Sequence, residues 1–268
     1  SASVAQSYMN EWVDYNKTYH KFYVGANGLY RISQSQLAAL GIANADAAHF
    51  QLWRQGKEIP LYTSSASGVL PGSGFVEFWG EVNDGEWEKR MYIEERFQIN
   101  PRISNFTDTS TYFLTVNTTG SNLRYTPTIN NVSSPLPAEP YFIHKAGINY
   151  KQFLNPGFAA VVGSFVYSSS FDEGEGYTST PFGPATTVTS SLGNLFVASG
   201  GPNAWLRFSG AGRNLYPREV RVSINGTKVR NDFTMNYFNS FKDVVADNIP
   251  LSLISGSTVN VQFNDLSD

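Results

Sequence analysis

The sequence predicts a mainly β protein, with a small mostly-β N-terminal domain that carries one short helix and a following β-sandwich of the jelly-roll type. Aromatic residues make up 15% of the chain, with 19 Phe and 15 Tyr, and such residues favour strands over helices. Apolar runs are short and are separated by Gly, Asn and Pro turns, which is typical of sandwiches. One segment, 33–41, carries both a start and a stop signal for a helix.

The N-terminal part begins with a polar, extended lead-in over residues 1–20. The next segment, KFYVGANGLYRIS (21–33), alternates apolar and polar residues on both sides of Asn27-Gly28. An Asn-Gly pair supplies the positive φ values that a two-residue turn needs, so this pattern predicts a hairpin.

The segment SQSQLAALGI predicts the single helix. Ser33 and Gln36 have the spacing of a capping box, in which each side chain binds the backbone of the other. Leu37 and Leu40 are predicted to share its apolar face, and Gly41 is predicted to end it.

The remainder of the first domain, which is predicted to extend over 21–126, consists of strands and turns. These are a hairpin around Gln55-Gly56, a strand at 74–82 with core positions Phe75 and Phe78, an Asn83–Gly85 turn followed by another strand, and a strand at 110–117.

Residues 127–140 form the best linker, because they carry four prolines and no periodicity. Beyond it, residues 141–268 are predicted to form the sandwich domain, with a hairpin at Asn225-Gly226. Its strand-like runs are AAVVGSFVYSS, NLFVASG, AWLRFSGAG, REVRVSINGTKV and STVNVQFND.

Composition excludes several function classes. A net charge of −3 and a pI near 5.7 give no electrostatic footprint for nucleic acid. No apolar run approaches about 18 residues, so no membrane span is predicted. Cysteine is absent, which excludes a cysteine nucleophile, a disulfide and a thiolate metal site in this chain.

Composition also favours a secreted or surface-exposed protein, because Tyr, Phe, Asn and Thr are abundant and Lys is scarce. The start SASVAQSYMNEW resembles a trimmed export precursor. The sequence stops directly after its last strand, from which we expect a longer natural chain.

Histidine and serine patterns give no catalytic centre. His20, His49 and His144 fall in three separate elements without zinc-ligand spacing. No G-x-S-x-G segment marks a serine nucleophile.

Two acidic clusters are candidate sites. Asp84, Glu86 and Glu88 occupy alternate positions, so in a strand their three carboxylates would lie on one face. That face would either be exposed to solvent or bind a calcium ion.

The second cluster, FDEGEGY, places Asp172, Glu173 and Glu175 on a Gly-rich loop. Three neighbouring carboxylates repel unless a cation, a basic partner or solvent relieves them. This loop is the stronger candidate for calcium, the one cofactor considered, and an interdomain contact is the alternative.

Tryptophans offer a third kind of site. Trp79, Trp87 and Trp205 are candidate platforms for a stacked sugar ring, as Trp53 also is, although strand tryptophans more often lie in a core.

Seven segments of the chain, taken in order, carry a family resemblance. They are FYVGANGLYRISQSQLAALGI, FQLWRQGKEIPLYT, GFVEFWGEVNDGEWEKRMY, FTDTSTYFLTVN, LPAEPYF, NPGFAAVVGSFVYSSSFDEGEGYTS and VRVSINGTKV. Together they make the chain resemble the PorU-like, type IX secretion sortase-related proteins of Bacteroidota, a gingipain-type cysteine peptidase family. The resemblance covers nearly the whole chain from about residue 20, and it implies an exported protein at the cell surface or facing the periplasm.

The resemblance implies a propeptide-like accessory region that precedes a peptidase domain carrying the catalytic His and Cys. Since this chain has no cysteine, no catalytic residue is transferred to it, and it is expected to be non-enzymatic. Its expected partners are a downstream peptidase domain of the same precursor and a protein substrate. The alternative is a carbohydrate-binding or adhesive cell-surface module that binds a glycan.

Overall fold

The computed structural model describes residues 10–130, 133, 137–157, 160–161, 165–166, 171–214, 216–235, 240–254 and 256–267. The predicted mainly β class is confirmed. The helix α1 spans Gln34–Ala39, and short 3-10 helices span Ala47–His49, Gly85–Met91, Glu95–Phe97 and Leu251–Ile254. The strands are β1 His20–Val24, β2 Gly28–Ser33, β3 Phe50–Arg54, β4 Lys57–Ile59, β5 Tyr62–Thr63, β6 Phe75–Gly80, β7 Ser110–Val116, β8 Phe153–Asn155, β9 Ala160–Val161, β10 Phe165–Val166, β11 Gly176–Thr178, β12 Thr187–Leu192, β13 Ala204–Ala211, β14 Arg218–Ile224, β15 Thr227–Lys228, β16 Phe233–Met235, β17 Ser240–Ile249 and β18 Val259–Asp265.

The chain divides into two compact units that do not follow one another simply along the sequence. Unit 1 comprises 1–83 and 107–134, and unit 2 comprises 84–106 and 135–268. The segment 84–106 therefore belongs to unit 2, whereas the sequence-based boundaries assign it to a first domain over 21–126. No helix in the described part of the chain has the length and apolar character of a membrane span.

Unit 1 consists of two antiparallel sheets whose apolar faces meet. One sheet has the order β1-β7-β3-β4 and the other β2-β6-β5. Alternation along the strands places every second side chain inside. The buried core comprises Val24, Leu37, Ala47, Phe50, Leu52, Leu61, Leu70, Val76, Phe78, Tyr112 and Leu114. Phe78 is in this core as predicted, while Phe75 lies half-buried on the opposite face of β6.

The hairpin predicted at Asn27-Gly28 is wrong, although both strands exist. β1 pairs with β7 and β2 pairs with β6, so the two strands lie in different sheets. Asn27 does not adopt the positive φ of a tight turn. Its side-chain oxygen instead accepts a hydrogen bond from the Val82 amide at 2.7 Å. Residues 25–27 therefore connect the two sheets.

The hairpin at Gln55-Gly56 is confirmed, with φ of 51° and 74° at the two turn residues and Arg54 paired with Lys57. These angles match the turn that follows the natural twist of a hairpin.

The predicted capping box of α1 is also present. The Ser33 hydroxyl accepts from the Gln36 amide at 3.3 Å, and the Gln36 side chain accepts from the Ser33 amide at 2.8 Å. Leu37 is buried, but Leu40 is 41% exposed, so the predicted shared face is wrong. The helix ends before Leu40, which is its C-cap.

The strand predicted after the Asn83–Gly85 turn is wrong as well, because residues 85–91 form a 3-10 helix. Asp84 caps this helix, with its carboxylate accepting from the Glu86 amide at 3.1 Å. The local capping bond favours a helical start over continued extension.

Unit 2 contains a five-stranded sheet, in which β12, β18, β14 and β15 lie in order and β16 also pairs with β14. The described residues also form the two-stranded ribbons β13-β17, β8-β11 and β9-β10. Side chains from the large sheet and from β17 share one apolar cluster, made of Ile224, Ala246, Ile249, Val259 and Val261.

Sequence predictions in unit 2 had mixed outcomes. The Asn225-Gly226 hairpin is confirmed, with φ of 47° and 82°. The strand predicted at 194–200 is wrong, since this segment joins β12 to β13 without strand pairing. Residue 159 and residues 162–164 and 167–169 of the run AAVVGSFVYSS lie outside the described part.

Candidate functional site

The two acidic stretches that stand out in the sequence come together within unit 2. The 3-10 helix Gly85–Met91 leads into Tyr92, which forms an isolated parallel bridge with Phe171 at the start of the second acidic loop. Their ring centroids lie 5.0 Å apart. This contact brings Glu88 of the first stretch into the same polar network as Glu175 of the second.

Glu88 is a buried carboxylate with structural partners. Its side chain is buried, and its Oε2 accepts a hydrogen bond from the Asn105 amide at 3.0 Å. The Ser104 hydroxyl donates to Oε1, while Ser104 Oγ itself accepts from the Phe106 amide at 3.1 Å. Bonds from neutral donors to a carboxylate are among the stronger ones in proteins, so Glu88 holds the turn at 104–106 against the 3-10 helix.

Tyr92 connects the two acidic stretches through its hydroxyl. This group accepts from the Asn105 side chain at 3.1 Å and donates to the Glu175 carbonyl oxygen at 2.9 Å. Burial raises the pKa of the Tyr92 hydroxyl above its ordinary value, so the group remains a protonated donor at neutral pH.

The loop at 172–175 is a compact turn with internal hydrogen bonds. The Asp172 amide donates to Glu175 Oε2 at 3.1 Å, and the Glu175 amide donates to the Asp172 carbonyl at 3.1 Å. Gly174 has a φ of 77°, which favours glycine. Its amide binds the Phe97 carbonyl at 2.9 Å, and its carbonyl accepts from Asn155 at 2.7 Å.

The electrostatics of this loop centre on Glu175. Burial raises the pKa of its carboxyl, and the nearby charges of Asp172 and Glu88 raise it further, against the opposing effect of the Asp172 amide. Asp172 itself is only 1% exposed. The network thus joins two buried residues of unit 2, Glu88 and Tyr92, to two half-buried ones, Asn105 and Glu175.

Chemically, this network is suited to holding backbone segments in place. The Glu88 carboxylate and the Tyr92 hydroxyl have protein partners, and the close approach of Gly157 further fills the region. A Cβ at Gly157 would lie 2.8 Å from the Asp172 Cβ and 3.0 Å from the Glu175 Cβ. Sequence reasoning missed Tyr92 and Asn105, because their partners lie far away in the sequence.

Calcium at the second loop stays a prediction. The Glu175 carboxylate is directed to the Asp172 amide, and Asp172 is buried. Within the described residues, no group of three or more His, Asp or Glu side chains is placed to hold a metal ion. A chelator that lowers the melting temperature would support calcium, and an unchanged melting curve would count against it.

The candidate tryptophans have different environments. Trp79 in unit 1 is 50% exposed and Trp205 in unit 2 is 46% exposed. Trp87 is half-buried beside Arg90, whose guanidinium lies 5.6 Å from the ring centroid. Trp53 stacks on Trp12 with centroids 5.3 Å apart.

Trp79 lies on an outer face of unit 1 with other apolar groups. In the β2-β6-β5 sheet, Leu29 is paired with Trp79 and is 63% exposed. Tyr62 on β5 is exposed on the same face and lies 5.9 Å from the ring of Phe75. Arg31 stacks on Phe75 at 3.7 Å. This outer face therefore offers flat rings beside an arginine that is ion-paired with Glu77 at 2.7 Å.

Comparisons with known proteins found a likeness among solved structures. No protein family matches the chain, and no curated protein matches it. Among solved structures, the chain is similar to the crystal structure of dimeric latent PorU from Porphyromonas gingivalis, with 15% sequence identity and a TM-score of 0.45. The match covers 92% of this chain and 22% of that protein, so the chain spans about a fifth of the length of the solved protein.

Proposed function

We propose that this chain is a non-catalytic accessory region of an exported gingipain-type, PorU-like cysteine peptidase. In this role it scaffolds a downstream peptidase domain or presents a polypeptide substrate to it, at the cell surface or facing the periplasm. The peptidase domain would supply the nucleophile, because this chain contains no cysteine.

The observation that carries the proposal is the structural use of the acidic groups that otherwise suggest a reaction centre. Glu88 binds the Ser104 hydroxyl and the Asn105 amide, and Glu175 binds the Asp172 amide. These bonds hold loops in place within a mainly β unit. The ordered sequence phrases that resemble the PorU-like family also support the proposal.

The test compares the chain alone with the same chain joined to its natural downstream residues. We expect residues 1–268 to cleave no peptide in a fluorogenic panel, and the longer protein to cleave. Adding purified 1–268 to a peptidase fragment that lacks it is expected to change the KM for a protein substrate more than the kcat for a short peptide. Cleavage by residues 1–268 alone would contradict the proposal.

A second candidate function, a glycan-binding surface module, is favoured by the exposed Trp79 on the outer face of the β2-β6-β5 sheet. An exposed indole next to Leu29 presents a flat apolar surface, on which a sugar ring stacks through its C–H groups. Trp205 offers a separate exposed indole in unit 2.

A glycan array separates this candidate from the first. If the glycan-binding function is correct, Trp79→Ala or Trp205→Ala abolishes binding to a specific polysaccharide. Tyr15→Ala is the control, because Tyr15 is 84% exposed and outside the sheet that carries Trp79. Absence of binding to every glycan by the unaltered chain would remove this candidate.

A further inference from the structure

Residues 137–149 of unit 2 form an exposed segment without secondary structure. All of these residues are exposed, and none belongs to a helix or a strand. None of their backbone amides and carbonyls forms a hydrogen bond within the described part of the chain. An endopeptidase binds its substrate as an extended chain through backbone hydrogen bonds, so this segment can enter an active site without local unfolding.

Lys145 is the one lysine or arginine in the exposed segment. Its side chain makes no hydrogen bond, ion pair or ring contact with any residue that the structure describes. The ring of Phe142 stacks on that of Phe196 with centroids 6.2 Å apart, and this contact lies three residues before Lys145. Ala146 and Gly147 follow, so neither a proline nor a large side chain obstructs the Lys145–Ala146 bond. An endopeptidase with a carboxylate in its specificity pocket can therefore accept the Lys145 ammonium.

The other seven lysines lie where the backbone is held. The Lys17 amide donates to the Asp14 carbonyl at 3.0 Å. Lys151 comes just before β8, and the next amide, that of Gln152, donates to the Thr178 carbonyl at 3.1 Å. Cleavage at such positions requires local opening first, which lowers its rate. The remaining five lie in strands or in a 3-10 helix: Lys21, Lys57, Lys89, Lys228 and Lys242.

Cleavage after Lys145 would divide unit 2 between two fragments. The first fragment, 1–145, would keep the segment 84–106, which belongs to unit 2. The second fragment, 146–268, would keep all the strands of unit 2, from β8 to β18. Contacts of 84–106 with these strands and their loops would then hold the two fragments together.

The first group of these contacts surrounds Tyr92. Its ring lies 5.0 Å from that of Phe171, and its hydroxyl donates to the Glu175 carbonyl at 2.9 Å. The Gly174 amide donates to the Phe97 carbonyl at 2.9 Å. Tyr92 is buried, so these bonds are shielded from water.

A second group of contacts surrounds Ile99. Its side chain is 4% exposed, and a Cβ added at Gly176 would lie only 3.0 Å from its Cγ2. The Asn100 side chain donates to the Tyr177 carbonyl at 3.3 Å. Hydrolysis at Lys145 removes a covalent link and none of these contacts, so the fragments stay bound at protein concentrations above their Kd.

We propose that the exposed segment is a processing site, cut after Lys145 by an endopeptidase specific for basic residues, and that the nicked chain stays one particle through 84–106. Hydrolysis breaks the bond between the Lys145 carbonyl carbon and the Ala146 nitrogen. Water supplies the hydroxyl of the new carboxyl group and a proton for the new amine. The site goes beyond the proposed function and does not depend on it, because its cleavage needs no peptidase domain of the same precursor.

The experiment treats the intact, folded chain with a small amount of a lysine-specific serine endopeptidase and follows the products by intact-mass spectrometry. Lys145→Gln removes the proposed cleavage position. Lys151→Gln is the matched control, because it makes the same change of charge at another exposed lysine, just before β8. Both substitutions change exposed side chains, so neither is expected to alter the fold.

We expect the first products to be 1–145 and 146–268. Lys145→Gln is expected to slow the first cut by about tenfold or more, because the remaining lysines require local opening. Lys151→Gln is expected to leave the rate of the first cut unchanged. A first cut at another lysine, or an equal rate for Lys145→Gln and the unaltered chain, would overturn the processing site.

Size-exclusion chromatography of the nicked chain tests whether the fragments stay together. We expect both fragments to elute together, at the volume of the uncut 29.6 kDa chain, and to separate only in denaturant. Separate elution without denaturant would overturn the retention of the fragments by 84–106. Neither measurement involves substrate cleavage by a downstream peptidase, so failure here is distinguishable from failure of the proposed function.

Discussion

At the scale of single residues, the carboxyl groups of Glu88 and Glu175 in unit 2 have different surroundings. Glu88 is buried and accepts bonds at both of its oxygens, from the Ser104 hydroxyl and from the Asn105 amide. Glu175 is half-buried and accepts one backbone bond, and its partial burial, together with the nearby charges of Asp172 and Glu88, raises the pKa of its carboxyl. Glu88 holds its two donors in place, whereas the protonated form of Glu175 is favoured more than in a free glutamate.

This difference predicts a pH effect for Glu175. The folded chain holds its proton more tightly than the unfolded chain, so its contribution to stability falls as pH rises from the ordinary value of 4.5 through the raised folded pKa. Glu175→Gln keeps an oxygen for the Asp172 amide and removes the titration.

Melting temperatures of Glu175→Gln and the unaltered chain are therefore expected to diverge in favour of the variant as pH rises through this window, and to differ by a constant above it. A difference that is independent of pH from 4 to 7 would show that the Glu175 pKa is not raised in the folded chain.

Truncation of Glu88 is expected to be strongly destabilising. Glu88→Ala removes the two bonds that the Ser104 hydroxyl and the Asn105 amide donate to a buried carboxylate, at a cost of about 3 kcal/mol in the free energy of unfolding. Denaturant unfolding measures the change. Glu86→Ala is the control, because Glu86 forms an exposed ion pair with Lys89 and such pairs contribute about 0–1 kcal/mol. Equal effects of the two variants would contradict the structural role of Glu88.

At the scale of elements, local sequence signals predicted turns well where both flanking strands belong to one sheet. Gln55-Gly56 and Asn225-Gly226 both form tight hairpins with positive φ. Asn27-Gly28 carries the same signal, but its flanking strands pair with β7 and β6 in separate sheets. The partners of a strand are chosen by long-range packing, which a dipeptide does not encode.

The Asn225-Gly226 turn gives a prediction at this scale. Gly226 has a φ of 82°, so Gly226→Ala is expected to cost about 1 kcal/mol because a Cβ is unfavourable in the left-handed region. Gly183→Ala is the control, since that glycine has no atom within 4 Å of the added Cβ and no positive φ. Thermal unfolding compares the two variants. A stability loss at Gly183 equal to that at Gly226 would contradict backbone strain as the cause.

The candidate site shows the same limit of sequence reasoning at a larger separation. Ser33 caps a helix through a residue three positions away, and Asp84 caps one through a residue two positions away. The sequence signal for Ser33 was sufficient to predict its capping box. The acidic stretches were recognised as unusual, but their meeting through Tyr92 and Phe171 depends on segments nearly eighty residues apart. Periodicity carries no information on such contacts. The strand assigned after Asn83–Gly85 was wrong for a local reason, because Asp84 caps a 3-10 helix there.

At the scale of the whole molecule, the chain passes from one unit to the other three times. It leaves unit 1 after Asn83, returns at Thr107, and leaves again after Ser134. The mainly β class was predictable from composition and turn spacing. The assignment of 84–106 to unit 2 was not, because it depends on partners far away in the sequence, such as Glu175 and Phe171.

This connectivity predicts how fragments behave. A fragment of 135–268 lacks Glu88, Tyr92 and Asn105, and it is expected to melt at lower temperature than the same fragment with 84–106 attached by a flexible Gly/Ser linker. A version of the fused fragment with Tyr92→Phe and Glu88→Gln is the control for specific contacts. Differential scanning calorimetry measures the three proteins. Equal melting of the fragment with and without 84–106 would contradict the assignment of this segment to unit 2.

The three crossings also impose an order on the folding of a newly made chain. All strands of unit 1 have been synthesised once the chain reaches the end of β7. Residues 84–106 have also been synthesised by then, but their partners in the loop around Glu175 have not. Until then Glu88 and Tyr92 are expected to remain exposed to water. Closing contacts of such large sequence separation is slow, so the newly made chain is expected to pass through a period in which unit 1 has folded and unit 2 has not.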